Sequence, residues 1–176
     1  MSGLAPFVSK NPEPLTDPFI GAAATIDSSH YEIHEGDHYT YSRVDTLASG
    51  ASLELLLTPS GKAQHLIRVV RASGQTSVYL FEGTGKTGGT AQTAYNNLRS
   101  SLNVPSLVIG LTPAAGADGT QIDVDAFGSS LGPSTASSIR NDEEWILNPS
   151  GVYLLRVTSA TNSNVVNTKL YFYEEG

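Results

Sequence analysis

The sequence predicts an all-β fold: a β-sandwich or jelly-roll-like single domain preceded by an extended N-terminal arm. Three observations carry this. Short apolar stretches recur along the chain, separated by turn residues, and 17 glycines and 9 prolines punctuate them. The 21 serines and 16 threonines favour turns and strands over helix interiors. Charged residues are only 15%, against about 25% in an average domain, too few to cover helical surfaces. A chain of 176 residues is long enough for one well-buried core.

Residues 1–24 contain Pro6, Pro12, Pro14 and Pro18, which deny the segment both ladder donors and helix interiors. Leu4, Phe7, Val8, Phe19 and Ile20 make it too apolar for a solvated tail. It reads as an arm that packs on its own core or on a neighbouring subunit. Residues 25–176 form the β domain. Its expected strands cover 30–35, 38–44, 52–58, 65–72, 75–81, 104–111, 121–126, 143–147, 152–159 and 165–174. Ser73-Gly74 is expected to close a hairpin. Residues 83–90 are a glycine loop, 91–99 a short helix or irregular segment, and 128–138 a polar loop. The last strand is apolar on both faces, with Leu170 and Phe172 opposite Tyr171 and Tyr173. Either it is central or its tyrosines meet a partner.

The formal net charge is −7. That sign argues against nucleic acid, which needs a basic surface, and against anionic lipid. No apolar run approaches a membrane span, and no secretion signal is expected behind Lys10. The chain has no cysteine, which removes disulfides and thiol chemistry.

Four constellations invite a chemical reading. Gly85-Lys86-Thr87 resembles part of a phosphate loop, but the glycine required five positions before Gly85 is Leu80, and Gly88-Gly89 would spoil the helix that must follow. His30, Glu32 and His34 would share a strand face, and with His38 beyond the Glu35-Gly36-Asp37 turn they could hold zinc, yet Tyr31 and Ile33 opposite them fit a simple core-in, polar-out strand. Asp123 and Asp125 alternate with Ile122 and Val124, so solvation accounts for the carboxylates better than glycoside chemistry does. Trp145 reads as core. No nucleophile elbow occurs. No enzyme activity, metal or cofactor is expected.

Several segments read together in order. They are Asn11-Pro12, the stretch from Ser29-His30-Tyr31-Glu32 to Ile33-His34-Glu35-Gly36, Leu57-Thr58-Pro59 and Gly89-Thr90. After these come Asn96-Asn97-Leu98-Arg99, Glu144-Trp145-Ile146-Leu147, Tyr153-Leu154-Leu155-Arg156-Val157-Thr158 and Tyr173-Glu174. In that order the chain resembles a family of small tailed-bacteriophage virion proteins encoded near the major capsid protein. Assigned members are capsid decoration, or cement, proteins that stabilise the head. The resemblance implies a structural virion protein made in the host cytoplasm and bound to the outer surface of the capsid lattice. Its partners would be the major capsid protein and itself, as a homotrimer or else a dimer. The contact residues expected are Leu4, Phe7, Val8, Phe19, Ile20, Tyr171 and Tyr173. A different class, a carbohydrate- or receptor-binding module of a phage head or tail fibre, is the alternative.

Overall fold

The computed structural model describes residues 28–128, 136–138 and 143–174. The expected arm, with Leu4, Phe7, Val8, Phe19 and Ile20, lies outside them. In chain order the elements are α1 (Ser28–Glu35), β1 (His38–Leu47), β2 (Ser52–Thr58), β3 (Gln64–Ala72), β4 (Thr76–Glu82), β5 (Thr90–Gln92) and β6 (Tyr95–Asn96). They continue with β7 (Val108–Leu111), β8 (Thr120–Phe127), β9 (Ala136–Ser138), β10 (Glu144–Leu147), β11 (Tyr153–Ser159) and β12 (Asn164–Glu174).

Two antiparallel sheets form the β-sandwich the sequence predicts. The first runs β10-β3-β12-β1-β6, with β9 also paired to β3; the second runs β5-β7-β2-β11-β4-β8. Alternation along each strand fixes which side chains enter the space between them. From the first sheet come Tyr39, Tyr41, Leu66, Val70, Val166, Leu170 and Phe172, and Tyr39 stacks on Phe172 at 5.4 Å. From the second come Leu53, Leu55, Leu57, Val78, Leu80, Leu155 and Val157. Each such side chain contributes roughly 1.5–3 kcal/mol on burial. β12 is central, flanked by β1 and β3, with Leu170 and Phe172 turned to the core and Tyr171 and Tyr173 to the outer face.

The structure corrects the strand expected over 30–35, which is the helix α1. It ends where Gly36 adopts φ +80°, and the Gly36 and Asp37 amides bond back to the Glu32 carbonyl, a left-handed helix stop. A side chain there would also strike Ser101, at 2.6 Å from its Oγ. The expected hairpin at Ser73-Gly74 is a crossing between sheets, since β3 pairs with β12 and β10 whereas β4 pairs with β11 and β8. Asn164, fully buried, ties that crossing down. Its Oδ1 accepts from the Gly74 amide at 2.8 Å, and its Nδ2 donates to Thr76 Oγ1 and Ser159 Oγ at 2.9 Å each. Residues 91–99 hold the short strands β5 and β6 rather than a helix, and the strand expected over 104–111 begins only at Val108.

Candidate functional site

The glycine loop after β4 is not a phosphate cradle. It folds onto the outer face of the second sheet, where the Thr84 hydroxyl and the Gly85 amide both donate to the Ala117 carbonyl at 2.9 Å. Lys86 Nζ lies 2.9 Å from Glu54 and 3.7 Å from Asp118, and Arg156 binds the same two carboxylates. Two cations and two anions thus neutralise one another over Phe81, above which the Arg156 guanidinium sits at 5.3 Å. The Arg156 hydrogen bond, foremost, holds the Asp118 carboxyl below its usual value.

Among the described residues, no histidine belongs to a group close enough to share a cation. His34 is exposed on α1, whereas His38 is buried on β1. The side chain of His30 lies outside the described residues. On the outer face of the first sheet, His38, Tyr173 and His65 occupy one register row. Tyr173 stacks on His38 at 6.3 Å and on His65 at 4.4 Å. Asn97 Nδ2 donates to His38 Nδ1 at 2.7 Å, which puts the imidazole proton on Nε2, and burial lowers the His38 pKa. His65 Nδ1 donates to Glu144 at 2.7 Å. Tyr173 is therefore buried within its own chain, a correction to its reading as an exposed contact; Tyr171 is half-buried on the same face.

Asp123 and Asp125 do not face solvent as their alternation suggests. β8 pairs Leu80 with Asp123 and Val78 with Asp125, and Val78 and Leu80 point into the core, so both carboxylates enter the space between sheets. Arg68, 7% exposed on β3 of the other sheet, bonds both through Nη2, Asp125 at 3.0 Å. Among the described residues, Asp123, Asp125 and Glu143 form the one group of acids close enough to share a cation. The Arg68 guanidinium already lies against two of the three, which explains their closeness without a metal.

A different place collects groups that lack such closure. An open cleft of about 650 Å³ lies between the turn after β2, the segment before β7 and the neighbouring ends of β1 and β12. Glu174, 3% exposed, forms one wall; its Oε1 accepts from the Ser106 amide at 2.5 Å and its Oε2 lies 3.6 Å from Lys62 Nζ. Asp37 is its neighbour, its carbonyl accepting from the Glu174 amide at 3.2 Å and its Oδ1 from Asn103 Nδ2 at 3.2 Å. Tyr39 lies at the base with no exposed surface, and its hydroxyl makes no hydrogen bond of ordinary geometry. Burial, reinforced by the charges of Glu174 and Asp37, pushes its pKa up to about 12. Leu102 and Val104 stand on the rim, 95% and 80% exposed. Sequence reasoning missed this site. The one local signal was an apolar pair around Asn103 in a Ser/Asn/Pro segment.

No protein-family profile, curated protein or solved structure matches the chain. No helix among the described residues is long and apolar enough to cross a membrane.

Proposed function

We propose that the protein is a capsid decoration protein of a tailed bacteriophage, binding the outer surface of the major capsid protein lattice and stabilising the head as a homo-oligomer. The order of short motifs along the chain supports the family. The observation that carries the geometry is the rim of the cleft. Leu102 and Val104 are almost wholly in water, yet the segment bearing them is tied down on both sides. Leu98 N donates to Asn96 Oδ1 at 2.8 Å, Asn103 N to Ser101 Oγ at 3.1 Å and Ser106 N to Glu174. Apolar side chains held in place in water are a binding surface in waiting. Covering each contributes roughly 1.5–3 kcal/mol, with little ordering cost because the segment is already fixed. The N-terminal arm, with its five large apolar side chains, would add contacts to a neighbouring subunit or to the capsid.

Quantitative gel analysis of purified virions tests the reading. A decoration protein appears in many copies, in fixed proportion to the major capsid protein. A fibre module, the carbohydrate-binding alternative, appears in few, and that result would end the proposal. Deleting residues 1–20 is expected to leave the β domain folded and to weaken capsid binding by about tenfold or more, near 1.4 kcal/mol. Unchanged binding would remove the arm from the interface.

A further inference from the structure

We infer that the cleft beside Leu102 and Val104 receives a basic side chain of the partner, an arginine by preference, carried on a segment whose apolar residues pack on those two side chains. The inference rests on the decoration reading only for the identity of the partner. Its grounds are charge and an apolar rim already standing in water. Two carboxylates, Asp37 and Glu174, and one lysine, Lys62, line the cleft, which leaves an excess negative charge. Lys62 is a weak occupant. Its ammonium is 3.6 Å from Glu174, beyond hydrogen-bond distance, and its side chain is 39% exposed, so little is lost when a better cation displaces it. The second, independent ground is the rim, where Leu102 and Val104 stand 95% and 80% exposed beside those carboxylates. A guanidinium brings five N–H donors in a planar fork. It can bond to Glu174 Oε2 and to Asp37 together, which an ammonium at the end of a flexible stem does less well. The aliphatic stem of an arginine would lie along the apolar rim. An acidic or phosphorylated partner would meet like charge at the same place.

The experiment titrates isotopically labelled full-length protein with Nα-acetyl-arginine methylamide and with its neutral isostere, Nα-acetyl-citrulline methylamide. Amide shifts are followed by NMR. The arginine compound is expected to give saturable shifts at Asp37, Gly61, Asn103 and Ser106, and the citrulline compound none. Asp37→Asn, which keeps the fold because Asp37 bonds only Asn103 through its side chain, should weaken binding about fivefold. Equal binding of both compounds, shifts that never saturate, or an unaffected Asp37→Asn would overturn the inference. A second arm measures binding to undecorated capsids. Leu102→Ser/Val104→Ser and Asp37→Asn should each weaken it about tenfold or more. If the protein decorates capsids and neither variant matters, the cleft is not the contact and the decoration reading stands. If the arginine compound binds selectively but capsids do not, the cleft inference stands and the decoration reading fails.

Discussion

Replacing Arg68 with methionine removes a cation that links the two sheets across the core margin. Arg68 reaches from β3 to Asp123 and Asp125 on β8, and its side chain is 6% exposed while theirs are 19% and 18%. Breaking a buried pair from one side costs roughly 3–5 kcal/mol, because charge stays behind without its partner. The carboxylates retain some access to water, which places the expected loss near the lower bound, about 3 kcal/mol. With a urea dependence of about 2 kcal/mol per molar for a domain of this size, the midpoint should fall by about 1.5 M. The triple variant Arg68→Met/Asp123→Asn/Asp125→Asn should recover most of that loss. It removes the two carboxylate charges that faced Arg68, and it also removes a guanidinium whose Nη1 is buried without a partner. Chemical denaturation followed by Trp145 fluorescence reads both. A methionine variant within about 0.5 kcal/mol of the wild type, or a triple variant no more stable than the single one, would refute the reasoning.

Asn164→Ala should cost about 2–3 kcal/mol, since three buried hydrogen bonds of about 1 kcal/mol each are lost where β3 crosses to β4; a loss below 1 kcal/mol in the same assay would contradict it. Lys86→Ala should lower stability by about 1 kcal/mol while leaving the proposed capsid binding intact, because Lys86 neutralises Glu54 rather than a ligand. His38 titrates below its ordinary value because it is buried, so between that depressed value and about 6.5 the unfolded chain binds more protons than the folded one. Stability is then full above about pH 6.5 and falls as the pH drops through the folded value. Melting curves at a series of pH values should show a shallower acid loss for His38→Gln than for the wild type. Identical slopes would exclude His38 as a source.

The central strands were legible because they bury one or both faces. The leucines of β2 and the aliphatic residues of β11 and β12 announce themselves as runs or clean alternation, and these strands form the middle of each sheet. Errors fell where tertiary contacts decide. Tyr31 and Ile33 alternate over too short a stretch to distinguish a strand from the eight-residue helix that Gly36 stops. Ser73-Gly74 has hairpin chemistry, but Asn164, ninety residues away, converts it to a crossing. The polarity of β8 was inverted because Arg68 draws Asp123 and Asp125 inward, a partnership no local pattern records, while Val124 is left 48% exposed. The cleft joins Asp37, Lys62, Asn103 and Glu174 from four separate parts of the chain, so it had no periodicity or spacing to betray it.

The distribution of polar and apolar groups itself bears on function. Charged side chains that would usually meet water are turned inward or against one another: Arg68 with its two aspartates, and Lys86 and Arg156 with Glu54 and Asp118. Such pairs add little net stability compared with apolar residues of the same volume. What they do constrain is geometry, because each demands particular distances between elements. Arg68 sets how the edge strand β8 lies over the first sheet, and the second cluster pins two long loops to the face they cross. Glu174, Asn96 and Asn103 do the same for the segment that carries Leu102 and Val104. The result is a sandwich whose loops are anchored by polar contacts while an apolar pair is left in water at one rim. A partner that covers that pair gains hydrophobic contact with almost no loop to order, which suits the proposed decoration role, in which binding is the same at every equivalent position of a lattice.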